Sequence, residues 1–193
     1  MFLAAAAAIV LPAASAQAVT ITFEGHSNAI YESGPINRSG FLIGNPVGQE
    51  QHFHELDSTV YNTPNNGTGI LANDRNTDIF VKDAGSTVFT LGSVDVGSYS
   101  ASSLAITGYR NGNVTNVINV ALGSSFATVS GAALGTVDRI VFDGIGGDGG
   151  FVLDNLTLSA GAAVPEPATW AMMIAGIGLA GVATRRRTRI AFA

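Results

Sequence analysis

The chain contains no cysteine, which excludes disulfide bridges, thiolate metal sites and cysteine nucleophiles. Charged residues are also scarce, at 12% of the sequence against 47% apolar residues. No stretch shows the apolar periodicity of an amphipathic helix. With 193 residues, the chain has room for one ordinary domain and short appendages, and its core must be stable without covalent cross-links.

Basic residues are few outside the C-terminal end. Four of the nine lie there, as Arg185–Arg187 and Arg189. When Glu166 is counted with that end, the rest of the chain has five basic and thirteen acidic residues, a net charge of −8. A surface of this sign repels phosphate backbones, so we do not expect a nucleic-acid partner.

The N-terminal end has the pattern of an export signal. Residues Phe2–Ala14 form an uncharged apolar run that is too short to span a bilayer, and small residues follow it. We therefore predict that residues 1–18 are a signal peptide, with signal peptidase cutting after Ala18. The usual basic start is missing, which indicates a truncated start or an upstream start codon. The alternative interpretation is a buried alanine-rich helix.

The C-terminal end consists of three consecutive blocks. A proline-rich segment comes first, an apolar stretch of 17 residues at Ala168–Thr184 follows, and the arginine cluster 185–189 comes last. As a helix, the apolar stretch would be about 26 Å long, the lower limit for a membrane span. The arginines should stay on the cytoplasmic side of the membrane. We predict a transmembrane helix at 168–184 within a tail at 161–193.

The order and spacing of these blocks resemble the PEP-CTERM sorting signal in its PEPxxWA form. The resemblance implies a substrate of exosortase, a membrane-embedded cysteine transpeptidase of Gram-negative bacteria that make exopolysaccharide. It also implies a cut near 165–167 and delivery to the cell envelope, surface or extracellular matrix. The alternative is a permanent single-pass anchor. The residues that carry the resemblance are Pro165, Glu166, Pro167, Trp170, Ala171, Arg185, Arg186 and Arg187.

A similar tail occurs on some ice-binding proteins. Ice binding usually needs a flat, regular array of threonines on repeated strands, and this chain has no fixed-period repeat. We therefore do not assign ice binding to the tail.

The central part, 19–160, is rich in short alternating segments separated by Gly, Asn or Ser, which predicts an all-β domain. An Asn-Gly pair at Asn111-Gly112 indicates a tight type I′ hairpin. Strands without helical crossovers favour an antiparallel β-sandwich of the jelly-roll type. The predicted strands are Val19–Glu24, Gln49–Leu56, Thr77–Val81, Ser86–Leu91, Leu104–Arg110, Asn113–Ala121, Ser125–Val129, Thr136–Phe142 and Phe151–Leu158.

Period-two alternation also predicts which side chains face inward. One shared face holds Ile21 and Phe23, and another holds Val137, Ile140 and Phe142 if one residue slips between them. In the last strand, Asp154 falls on the same side as Val152, Leu156 and Leu158. A carboxylate among apolar neighbours needs a partner.

The first and last strands resemble those of jelly-roll carbohydrate-binding modules, in Thr22-Phe23-Glu24-Gly25 and Val152–Leu158. The resemblance implies that the terminal strands lie side by side and that Glu24 and Asp154 meet at a structural calcium. The alternative is that Asp154 accepts hydrogen bonds from backbone amides or from Arg139.

Two further segments contain residues that could bind a metal. His52 and His54 lie on one strand face with Glu50, a spacing that suits zinc or copper, but a solvated face with Phe53 turned inward is the preferred interpretation. The glycine-rich segment 143–150 resembles one turn of a calcium-binding repeat, yet it occurs once, so we expect a flexible hairpin loop.

The remaining candidates concern sugar binding and catalysis. Tyr61, Tyr99 and Tyr109 could form a sugar platform, although packing at the core edge is the preferred interpretation. Neither Gly-x-Ser-x-Gly nor His-Glu-x-x-His is present. The expected function is non-enzymatic binding or structural work at the cell surface, with exopolysaccharide as the expected partner. The alternative is a secreted hydrolase of envelope or matrix polysaccharide.

Overall fold

Alternating apolar residues in the central part form strands that pair with antiparallel neighbours. The computed structural model describes residues 17–25, 29–56, 64, 66–161 and 174–178. Within these residues there are fourteen strands in two sheets, together with a 3-10 turn at Ala132–Leu134. The strands are β1 (Ala18–Ile21), β2 (Ala29–Tyr31), β3 (Ile36–Arg38), β4 (Phe41–Gly44), β5 (Phe53–Leu56), β6 (Ile70–Asn73), β7 (Ile79–Asp83), β8 (Phe89–Ser98), β9 (Ser103–Arg110), β10 (Asn113–Ala121), β11 (Ala127–Ser130), β12 (Thr136–Val137), β13 (Arg139–Ile145) and β14 (Phe151–Ala160).

The two sheets pack face to face. The eight-stranded sheet has the order β11-β8-β14-β6-β5-β2, with β1 also paired to β14 and β12 to β8. The six-stranded sheet has the order β10-β9-β13-β7-β4-β3. The predicted antiparallel β-sandwich is therefore confirmed. The first and last strands lie side by side as expected, with Ile21 opposite Leu156.

The hairpin between β9 and β10 has the predicted turn. Asn111 and Gly112 both have positive φ values, 52° and 78°, and Asn113 pairs with Arg110 directly across the two-residue loop. Positive φ at both central positions defines the type I′ turn, whose twist matches that of the flanking strands.

The main core lies between the sheets. Its largest fully buried side chains are phenylalanines from both sheets, and the predicted inward residues join them. Val137 and Ile140 both point inward because the chain slips by one residue at Asp138, between β12 and β13. Truncating a buried phenylalanine costs about 3–5 kcal/mol. The core phenylalanines are Phe53, Phe89, Phe142 and Phe151.

Four strands were not predicted from the sequence. Two of them, β2 and β3, have only three residues each. The other two, β4 and β6, are apolar runs without clear alternation, and every residue of β6 is buried because both faces of the sheet are covered there. Alternation signals a strand only where one face is exposed to water.

Strand β14 contains a bulge that the sequence did not reveal. Asn155 has a φ of +46°, and the register with β8 shifts between Asp154 and Thr157. Leu156 therefore packs in the main core, whereas Val152 packs in a separate cluster on the other face. The prediction that Asp154 shares a side with Leu156 and Leu158 is wrong because the bulge reverses the alternation.

That separate cluster covers the outer face of the eight-stranded sheet. We call it the outer cluster. The chain also passes closely over this face at Pro64, since a Cβ atom at Gly97 would lie 2.6 Å from Cγ of Pro64. The outer cluster consists of Leu56, Ile70, Ala72 and Val152, with Phe126 packed against it.

The two ends of the chain are described only in part. The predicted signal peptide lies outside the described residues except for its last two, and β1 begins at Ala18. Of the predicted membrane helix 168–184, residues 174–178 are described and they are helical. No helix among the described residues is long and apolar enough to cross a membrane. A compact unit comprises Ser15–Gly161, while the domain bounds 19–160 stay a prediction.

Candidate functional site

The antiparallel register of β5 and β6 brings three metal-binding side chains together. His54 pairs with Ala72 and Leu56 with Ile70, so the next outward-facing pair along these strands is His52 and Asp74. All of these residues alternate with Phe53 and Leu71, which face the main core. His52, His54 and Asp74, which we call the His-His-Asp cluster, therefore share the outer face of the sheet.

The polar atoms of the His-His-Asp cluster lie close together. The two Nε2 atoms of His52 and His54 are 2.8 Å apart. Nε2 of His52 is 3.4 Å from Oδ1 of Asp74, and Nε2 of His54 is 3.3 Å from Oδ2 of the same carboxylate. The two rings meet edge to face at a centroid distance of 4.7 Å.

Both histidines are buried, each with 7% relative exposure. Phe53 points inward as predicted, but the preferred interpretation of a solvated histidine face is wrong, because both rings are buried and pack against each other and against Asp74. Burial lowers the pKa of His54, while the nearby Asp74 carboxylate opposes this shift. Neutral imidazole is the form that accepts protons and binds metals.

Buried amides hold the cluster in place. Oδ1 of Asn45 accepts a hydrogen bond from the backbone amide of His52 at 2.8 Å, and its Nδ2 donates to Thr77 Oγ1 at 3.0 Å. The Thr77 hydroxyl donates to Oδ1 of Asn73 at 3.0 Å, and the Asn73 amide donates back to the Thr77 carbonyl. These bonds close the turn after β6 and fix the backbone on both sides of Asp74.

A small pocket opens beside the cluster. Its lining combines apolar side chains with polar groups of the cluster and an aromatic ring, Tyr99, which is 39% exposed. The glycine-rich loop before β14 holds this ring, since a Cβ atom at Gly150 would lie 2.9 Å from Cδ1 of Tyr99. The lining residues are His54, Leu56, Ala72, Asp74 and Tyr99.

The opposite end of the outer face is built around Asp154, which is fully buried. Its Oδ2 atom accepts hydrogen bonds from Nδ2 of Asn66 at 2.6 Å and from the Thr68 hydroxyl at 2.8 Å. Its Oδ1 atom accepts from the backbone amide of Asn155 at 2.7 Å. Burial raises the pKa of Asp154, these donors oppose the shift, and the nearby Asp95 adds to it.

Glu24 and Asp154 both accept hydrogen bonds from the loop at 66–69. Glu24 is exposed and accepts a hydrogen bond from the backbone amide of Gly69 at 3.3 Å, one residue beyond Thr68. A calcium ion needs six to eight oxygen ligands, whereas donors already occupy both oxygens of Asp154. This arrangement favours the alternative that Asp154 is a hydrogen-bond acceptor, and its donors among the described residues do not include Arg139. The calcium site stays a prediction.

The other predicted residues differ in their outcome. Tyr109 lies under the Arg139 guanidinium, 4.4 Å from its ring centroid, and is not beside the pocket residues. Tyr61 and the sorting residues at 165–171 and 185–187 lie outside the described residues. Glu50 is exposed and pairs with Arg75 at 2.5 Å instead of joining the histidines.

The sequence showed the His-x-His spacing but not Asp74. The only local signal for Asp74 was its position two residues after the apolar run 70–72, where a strand ends. Its distance of twenty residues from His54 hid the contact, because strand pairing is not encoded in spacing alone.

Comparison with protein families supports the interpretation of the C-terminal end. Residues 163–187 match the family model of the PEP-CTERM protein-sorting motif. The chain therefore carries this motif, in the segment where the three blocks were recognised. The match covers the tail and leaves the sandwich outside it.

Comparisons of whole chains yield weaker similarities. No curated protein matches the chain. Among solved structures, a variant of CBM29-2, a family 29 carbohydrate-binding module, has 16% identity and a TM-score of 0.39 over 75% of this chain and 93% of its own. A second family 29 module, CBM29_1 from Piromyces equi, has 14% identity and a TM-score of 0.39 over 72% and 93%. The protein SpGH29 has 11% identity and a TM-score of 0.40 over 63% and 26%.

Proposed function

We propose that this protein is exported and sorted to the cell surface or extracellular matrix by an exosortase-type transpeptidase. The observation that carries the proposal is the match of residues 163–187 to the PEP-CTERM sorting motif. In this proposal signal peptidase removes the N-terminal segment, and the apolar block at 168–184 holds the chain in the inner membrane until the tail is cut. The prolines at 165 and 167 keep the recognition segment extended and separate from the helix.

Mass spectrometry of the protein from its native host tests the sorting step. In a host with exosortase, envelope material should contain no peptide with Trp170, whereas deletion of the exosortase should restore that peptide. Abundant mature protein that retains 172–184 in the unmodified host would instead indicate a permanent anchor.

For the sandwich we propose a non-enzymatic role, the binding of polysaccharide in the pocket beside Tyr99. The pocket has an exposed ring, an apolar floor of Leu56 and Ala72, and the polar groups of His54 and Asp74. A sugar has an apolar face that packs on aromatic rings and hydroxyls that need such polar partners. Because the central part has five basic and thirteen acidic residues, the ligand we propose is a neutral polysaccharide.

A glycan array with the full chain tests this role. Tyr99→Ala should abolish binding of the glycans that the unmodified protein retains. The matched control is Tyr109→Ala, which removes a tyrosine from β9 of the other sheet and should leave binding intact. Equal loss in both variants would contradict the pocket assignment, and release of shortened sugars would support the hydrolase alternative.

A further inference from the structure

We propose that His52, His54 and Asp74 form a binding site for a divalent transition-metal ion of the zinc class. The site lies on the outer face of the eight-stranded sheet and is built by β5 and by the residue that follows β6. The site does not involve the sorting tail, and it shares His54 and Asp74 with the pocket described above.

The distances suit tetrahedral coordination. Zinc binds imidazole nitrogen and carboxylate oxygen at about 2.0–2.2 Å, so two ligand atoms of a tetrahedral site lie about 3.3 Å apart. Nε2 of His54 and Oδ2 of Asp74 are separated by 3.3 Å, and Nε2 of His52 and Oδ1 of Asp74 by 3.4 Å. The two histidine nitrogens, 2.8 Å apart, need to separate by about half an ångström, which a small ring rotation provides.

One atom of the cluster lacks a partner that a metal would supply. Among the described residues, Oδ1 of Asp74 is buried and has no hydrogen-bond donor. Buried carboxylate oxygens are rarely left in this state. A hydrogen bond between the two histidine rings would satisfy the imidazoles, yet it would leave this oxygen without a donor. A cation bound between the three groups would give Oδ1 of Asp74 a partner and would also satisfy both imidazole nitrogens.

The surroundings preorganise the ligands. Asn45 holds the backbone of His52, and the hydrogen bonds between Asn73 and Thr77 hold the turn that carries Asp74. Glu32 lies 4.0 Å from Nδ1 of His52, on the ring nitrogen opposite the cluster. That distance is too long for a hydrogen bond and the Glu32 side chain is 76% exposed, so Glu32 adds negative charge near the site without fixing the ring.

The ligand set determines the class of metal. Two imidazoles and one carboxylate suit zinc, copper or nickel, while calcium and magnesium prefer a shell made entirely of oxygen. Three protein ligands leave one tetrahedral position open, and the pocket beside the cluster shares His54 and Asp74 with it. The fourth position is therefore available to water or to an oxygen of a ligand in the pocket.

Isothermal titration of the full chain, without a polyhistidine tag and in detergent, with zinc chloride tests the proposal. We expect one zinc ion per chain and no saturable binding of calcium. Cobalt should bind at the same stoichiometry and show the intense visible absorption of tetrahedral cobalt. His54→Gln and Asp74→Asn should each raise the dissociation constant at least about tenfold, since even outer contacts of metal sites contribute 10–100-fold.

Glu50→Gln is the matched control, because it removes one exposed carboxylate two residues before His52 and should leave the dissociation constant unchanged. Absence of zinc binding by the unmodified chain would overturn the proposal, and so would an equal loss of affinity in Glu50→Gln. If His54→Gln fails to melt cooperatively, Asp74→Asn decides, because its side chain is partly exposed. Unchanged zinc affinity in folded Asp74→Asn would equally overturn the assignment.

Discussion

Glu55 on β5 and Arg38 on β3 form a two-point ion pair that joins the two sheets of the sandwich. Nε of Arg38 donates to Oε1 of Glu55 at 2.8 Å, and Nη2 donates to Oε2 at 2.5 Å. Glu55 is fully buried, and the Tyr31 hydroxyl also donates to its Oε2 at 2.6 Å. Because β3 belongs to the six-stranded sheet and β5 to the eight-stranded one, this ion pair links the two sheets in addition to the apolar contacts of the main core.

Removing Arg38 should strongly destabilise the protein. Arg38→Met removes the guanidinium that donates two hydrogen bonds to the buried Glu55 carboxylate, and we expect a loss of about 3 kcal/mol in the free energy of unfolding, measured by urea denaturation. The double variant Arg38→Met, Glu55→Leu should recover most of the loss, because an apolar pair can replace a buried ion pair.

The exposed pair of Arg75 and Glu50 is the control for this effect. Its contact distance is also 2.5 Å, but its side chains are 45% and 58% exposed. Arg75→Met should lower the free energy of unfolding by less than about 1 kcal/mol, because water screens exposed ion pairs. Similar losses in Arg38→Met and Arg75→Met would contradict the importance of burial.

Asp154 should make the stability of the protein fall as the pH rises above about 3.8, the ordinary pKa of the group. Burial raises the pKa of Asp154 in the folded state, so between these two values the folded chain binds more protons than the unfolded chain. Stability from this group is therefore greatest at low pH and decreases as the pH rises through the raised pKa.

Thermal melts from pH 3 to 7 measure this dependence. The Asn side chain of Asp154→Asn cannot titrate, so this variant should lack the part of the decrease in melting temperature with pH that comes from Asp154. Asp148→Asn removes an exposed carboxylate and should retain that decrease. Identical pH profiles for the unmodified protein and Asp154→Asn would show that the carboxyl does not contribute.

Melting in calcium and in chelator decides the predicted calcium site at Glu24 and Asp154. A site of this kind would stabilise the protein by roughly 2.7 kcal/mol at a hundredfold excess of calcium over the dissociation constant. That gain would raise the melting temperature by roughly 5–10 °C. The donors to Asp154 from Asn66, Thr68 and Asn155 instead lead us to expect equal melting temperatures with calcium and with chelator.

The central part should fold without the two ends. A fragment of Val19–Val164 contains nearly all of the paired strands and the whole main core. We expect a β-type circular dichroism spectrum, a single cooperative melt and a monomeric mass in ultracentrifugation. Phe142→Ala tests the main core in the same fragment and should lower its free energy of unfolding by about 3–5 kcal/mol. A helical spectrum, or the absence of a melting transition, would contradict the domain assignment.

Local patterns were enough to predict several features. The turn at Asn111-Gly112 follows from the backbone angles that these two residues tolerate, and β10 begins and ends where alternation placed it. The three blocks of the tail were readable because a sorting motif is a continuous segment of chain. In each of these features the determining residues are neighbours in sequence.

Tertiary structure alone decided the features that depend on strand pairing. The register of β5 with β6 places Asp74 beside His52 and His54, and the packing of the sheets places Arg38 beside Glu55. The bulge at Asn155 changes which residues of β14 face the core. Period two tells which residues share a face of one strand, but it does not tell which strand lies alongside. Sheet order and register are set by the burial of all strands together, and those contacts join residues far apart in the chain.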